Sequence, residues 1–174
     1  MKKENAKFVE EKIKEYFNTE EKITLIKNII ISLEEKISLL EDKNRNLKLD
    51  FDIDVKSTNV DNTPKSSSDG TSYFERNIIK QIEYNEKMIE NIKEEIEIQE
   101  NQIFNLEIKN SKMKNIINIF GENYRNILYF RYKENMSEVE ISLKLNLSTS
   151  QYHRNKKEIL RVIYNMLVIH REIL

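Results

Sequence analysis

From Ile23 onward the seam residues recur at alternating steps of three and four: Ile23, Ile26, Ile30, Leu33, Ile37, Leu40, Asn44 and Leu47. A helix turns once every 3.6 residues, so this rhythm keeps one stripe on one face. It is a coiled-coil seam with a polar layer at Asn44. A second seam follows. Ile82, Ile89, Ile96, Ile103, Asn110 and Ile117 fall every seven residues, and Asn85, Ile92, Gln99, Leu106, Met113 and Phe120 come three after each. At 1.5 Å per residue the first seam spans roughly 37 Å, and residues 78–120 span roughly 64 Å. The pattern predicts an antiparallel hairpin whose longer arm needs a further partner. Residues 8–17 or a second copy of the chain could supply it. Buried amides in such seams lower stability and fix register, so Asn85→Ile alone is expected to raise thermal stability.

Between the seams, residues 49–72 read LDFDIDVKSTNVDNTPKSSSDGTS, with the only proline and one of two glycines. This composition predicts a flexible loop. Upstream, Ala6, Phe8, Val9, Ile13, Tyr16 and Phe17 fall at helical spacing, and Asn18 with Glu21 three residues on is spaced as a capping box that restarts a helix. Gly121 is expected to cap the C-terminal end of the long helix.

After Gly121 the pattern shortens to three helices. The first covers residues 122–133, and Asn135-Met136 makes a turn. Ser137 caps the second, residues 138–145, with Glu140 completing a capping box. Asn146 supplies the left-handed residue of a tight turn, Leu147 plugs that turn and Ser148 caps the third helix. Ser142 is small where two helices approach. Ile141, Leu145, Tyr152, Ile159, Leu160 and Ile163 face the core. A short helix, a tight turn and a capped longer helix follow the helix-turn-helix plan.

Burying those positions leaves Ser148, Thr149, Ser150, Gln151, His153, Arg154 and Lys157 on the front of the third helix. Short hydroxyls and a helix N-terminus suit phosphates. Gln151 and Arg154 carry the forks that read adenine and guanine edges. Lys144, Lys156, Lys157 and Arg161 surround them with positive charge.

Net charge is −1 over 174 residues, but residues 122–174 hold nine Lys and Arg against six Asp and Glu, and residues 1–121 carry −4. The basic end is the one with the motif. Charged residues make up 34% of the chain, and two glycines and one proline leave room for long helices. The absence of cysteine excludes disulfides and thiol chemistry. His153 and His170 stand apart, so no metal site is expected. No phosphate loop, nucleophile elbow or carboxylate pair is readable, so neither enzymatic activity nor a cofactor is expected. With no signal-like or membrane-length apolar run, the expected location is the cytoplasm of a bacterial host.

The stretch NILYFRYKENMSEVEISLKLNLSTSQYHRNKKEIL resembles region 4 of bacterial sigma factors. More closely it resembles the RinA/ArpU-type phage and prophage late-transcription regulators. The shared pattern is Arg131-Tyr132 closing the first helix, then Ser148, Ser150, Tyr152, Arg154, Lys156 and Lys157. It covers about 40 of the residues, and Ser142 and Asn146 stand where Ala and Gly are usual. The resemblance implies a regulator that binds promoter-proximal double-stranded DNA and activates late genes. It would act by contacting RNA polymerase or by occupying a sigma-like site, with the coiled coil positioning or dimerising it.

The expected fold is all-α, a long coiled-coil hairpin followed by a small helix-turn-helix domain. Its segments are residues 1–48, a linker at 49–72, a long helix at 73–121 and the DNA-binding domain at 122–174. Two other functions fit the elements: a small terminase-like packaging protein, and a structural coiled-coil adaptor.

Overall fold

The computed structural model describes residues 2–57 and 73–172, without the side chains of residues 50–57, 74 and 170–172. Among the described residues the chain is all-helical. Its elements are α1 (Lys3–Ser57), α2 (Tyr73–Asn118), α3 (Glu122–Tyr132), α4 (Glu138–Lys144) and α5 (Thr149–Glu172).

Two boundaries differ from the sequence expectation. α1 runs unbroken through Asn18 and Glu21, so the spacing of those two residues restarts nothing. Thr19 sits inside the helix, its hydroxyl donating to the Glu15 carbonyl at 2.8 Å. α1 also continues past residue 49 to Ser57. Residues 49–57 contain neither proline nor glycine, so nothing there forces a stop. The remainder of the expected loop, residues 58–72 with Pro64 and Gly70, lies outside the described residues.

Every seam position of α1 and α2 is buried or half-buried. The chain divides into two compact units, residues 26–102 and residues 1–25 with 103–174.

In residues 26–102, Leu40 of α1 and Ile89 and Ile92 of α2 form a small core with Leu33, Ile37, Met88 and Ile96 around it. Beside it the Asn85 amide donates to Asn44 Oδ1 at 2.7 Å, and Gln81 donates to Asn85 Oδ1 at 3.1 Å. This pairing reverses the expectation for Asn85→Ile. The single change strands a buried Asn44, at a cost of about 1–3 kcal/mol. Asn85→Ile is therefore expected to lower the melting temperature, and Asn44→Leu with Asn85→Ile to raise it above that of the parent. Thermal melts of the three proteins check this, and a stabilised single variant would contradict the pairing.

In the other unit, one core draws on all five helices. Val9, Ile13 and Phe17 (α1) meet Met113, Ile116 and Ile117 (α2), Ile127, Leu128 and Tyr132 (α3), Ile141 (α4), and Tyr152, Ile159, Leu160 and Ile163 (α5). Asn110, the polar seam layer here, donates to the Tyr16 carbonyl and to Glu20, both at 3.2 Å. Next to it Glu15 bonds Lys12 at 2.8 Å and Lys109 at 2.9 Å, and these two ammonium groups hold its carboxyl down to about 2.

Gly121 does not cap α2. It has an extended backbone, with φ −62° and ψ 162°, and is the N-cap of α3. Among the described residues no helix is long and apolar enough to cross a membrane.

Candidate nucleic-acid interface

The expected turn chemistry around α4 is present. Ser137 accepts from the Glu140 amide at 3.3 Å, and Glu140 accepts from the Ser137 amide at 2.7 Å. Asn135 and Asn146, on either side of α4, both have φ 53°. Asn tolerates that left-handed conformation because its short polar side chain bonds locally. After Asn146, the Leu147 amide donates to the Ser142 carbonyl at 2.8 Å, and the Leu147 side chain packs against the core. Within α4 only Ile141 and Ser142 are buried, and Leu145 is half-buried.

α5 then leaves the turn with its inner face fully committed. Tyr152, Ile159 and Ile163 are at most 1% exposed. At 3.6 residues per turn this fixes the opposite face. Thr149, Ser150, Arg154, Lys157 and Arg161 are exposed on α5. Among the described residues Arg154, Lys157 and Arg161 form no ion pair. The unit made of residues 1–25 and 103–174 holds 18 Lys and Arg against 13 Asp and Glu, net +5. Residues 26–102 hold 11 against 17, net −6. The division into units thus sharpens the asymmetry read from the sequence.

The remaining site residues have partners within the protein. Gln151 Oε1 accepts from the Ser148 amide at 2.9 Å and from its hydroxyl at 3.1 Å, while Ser148 Oγ accepts from the Gln151 amide at 3.2 Å. This is a second reciprocal cap, and it engages Ser148 as well as the oxygen of Gln151. Their expected roles in phosphate and base contact are therefore reduced to the Gln151 amino group.

Lys156 is turned inward, with a side chain 20% exposed, and it bonds Glu10 of α1 at 3.1 Å and Glu138 of α4 at 3.8 Å. It is a brace between helices and not a free phosphate contact. Glu10 also accepts from the Tyr132 hydroxyl at 2.9 Å. Burial raises the Glu10 carboxyl, but the bonds from Lys156 and Tyr132 outweigh this and hold it below its ordinary value. His153 stays exposed with Nε2 3.6 Å from Glu138. Lys144 lies 4.1 Å from the Phe130 ring centre, a cation–π contact that keeps its charge at the surface.

Arg131 and Tyr132, the pair that closes α3, are structural. Arg131 donates to the Met136 carbonyl at 3.0 Å and so holds the α3–α4 turn. Burial and the neighbouring Glu10 push the Tyr132 phenol up. The sequence reading missed Glu10 and Glu138. No local signal marks Glu10, which stands 146 residues before Lys156. The Ser148–Gln151 cap, in contrast, has the S-x-x-Q spacing of a capping box.

Family models, curated proteins and solved structures give this chain no match.

Proposed function

We propose that this protein is a sequence-specific DNA-binding transcriptional regulator of phage or prophage type. In this proposal α4, its turn and α5 form a sigma-like helix-turn-helix, with α5 in the major groove of promoter-proximal DNA. Arg154 reaches base edges, helped by the amino group of Gln151, and Lys157 and Arg161 contact backbone phosphates. Thr149 and Ser150 face the phosphates at the start of α5. The protein acts by binding, without a catalytic group or cofactor, and the readout is activation of late genes with RNA polymerase as the second partner. The seams of α1 and α2 make a coiled-coil hairpin that positions or dimerises the DNA-binding end.

The observation that carries the proposal is the row of Arg154, Lys157 and Arg161. It is exposed and without ion pairs among the described residues, on a helix whose opposite side is locked by Tyr152, Ile159 and Ile163. Glu158 shares this face, but its carboxylate accepts from the Tyr124 hydroxyl at 3.1 Å and, among the described residues, pairs with none of the three. Selection of bound duplexes from a random pool tests the proposal. A recurring sequence should emerge, and its affinity should fall linearly with the logarithm of salt concentration. No enrichment, and no salt-dependent binding to any duplex, would reject it.

A further inference from the structure

The first turns of α1 lie beside the proposed DNA-binding helices, and their course can be derived from two contacts. The Phe17 ring lies 6.4 Å from that of Tyr129, in the third turn of α3. Seven residues earlier in α1, Glu10 accepts from the hydroxyl of Tyr132, the last residue of α3. Moving toward the start of α1 therefore means moving toward the end of α3, where the turn into α4 begins. Glu10 and Glu138, the first residue of α4, both bond Lys156 in the third turn of α5. The residues before Glu10 thus continue from the point where Glu10, Tyr132 and Lys156 meet, with Ala6, Phe8 and Val9 still packed on the shared core.

Lys3 and Lys7 are on that extension and both are exposed. They precede Glu10 by seven and three residues, which puts all three on one side of the helix. The charge of Glu10 is engaged by Lys156, so it does not neutralise the two lysines. Glu4 and Glu11 sit on the next face round and oppose them in part. Lys14, one turn after Glu10, acts on the Glu10 carboxyl.

We propose that Lys3 and Lys7 form a second contact with duplex DNA, gripping backbone phosphates beside the segment that α5 occupies. This rests on the DNA-binding proposal for α5 and adds a surface from the opposite end of the chain. From Lys3 to Lys7 the helix advances roughly 6 Å, and a DNA strand places one phosphate about every 3.4 Å. The two lysines therefore reach about two phosphates. Such contacts carry no sequence information, so their effect is the same on every duplex.

The test is a salt titration of the full chain on a selected duplex and on a scrambled one, comparing the parent, Lys3→Gln with Lys7→Gln, and Lys157→Gln. The double variant is expected to bind both duplexes about three- to tenfold more weakly at 0.1 M salt, with a salt slope smaller by about 1–2. Trimming the duplex on one flank should erase the difference between it and the parent. Circular dichroism should show unchanged helix content and melting, because both side chains are exposed. If the double variant keeps the parent's affinity and slope while Lys157→Gln loses affinity, the second contact is wrong and the role of α5 stands. If the parent binds no duplex at any salt, both proposals fall together.

Discussion

Tyr152→Ala is expected to unfold the unit that carries α3, α4 and α5 at moderate temperature, while Tyr152→Phe leaves it as stable as before. The ring of Tyr152 is 0% exposed and sits in the core with Ile127, Ile141 and Ile159. Emptying a buried aromatic site costs about 3–5 kcal/mol, since neighbours collapse only partly into the space. That is a large share of the stability of an ordinary domain, about 5–15 kcal/mol. The hydroxyl is a different matter. Tyr152 Oη is buried and has no hydrogen-bond partner, and burial pushes the phenol up from its ordinary value. Removing an unpartnered buried hydroxyl gives up no bond, so Tyr152→Phe should fall within about 1 kcal/mol of the parent. Denaturant or thermal melts of the two variants decide this. Equal losses in both would mean that the hydroxyl holds a bond. A small loss in Tyr152→Ala would mean that the ring is not in the core.

The second large effect is expected at the far end of the chain. Ile13 is 0% exposed and packs, with Val9 and Phe17, in the same core as α3, α4 and α5. Ile13→Ala should cost about 2–5 kcal/mol. Ile13→Asp should do more, since a buried carboxylate without a partner costs several kcal/mol. Either change should reduce amide-exchange protection in α5 and weaken the proposed DNA binding in proportion to the folded fraction, although Ile13 does not touch the proposed interface. Protection confined to α1 being lost, with α5 unaffected, would show that residues 122–174 hold themselves together without α1.

What could be read from the sequence was what depends on neighbours within a turn or two. The steps of three and four predicted the seam positions, and these are buried or half-buried in both long helices. Ser137 with Glu140 and the left-handed Asn146 were legible because caps and tight turns are made by adjacent residues. Tyr152 was legible as a core residue from its period with Ile159 and Ile163. Contacts across the chain were not. That Glu10 engages Lys156, or that Asn85 answers Asn44, depends on which helix faces come together, and nothing near either residue encodes it. Gln151 is an intermediate case. Its side chain suits a base edge and a capping box equally well, and spacing to Ser148 alone favoured the cap. Gly121 was misread because glycine is common at helix C-termini, whereas here it precedes α3 in an extended conformation.

The central claim is that the exposed face of α5 reads DNA, and Arg154 is the residue on which it depends most. The direct measurement is a binding titration of the parent and Arg154→Ala, each verified as folded, on the selected duplex and on single-base variants of it. Arg154→Ala should lose about 1–3 kcal/mol on the selected duplex and relax preference at one or two base pairs, with its affinity for scrambled DNA falling less. A folded Arg154→Ala protein that keeps both the affinity and the base preference of the parent would contradict the claim.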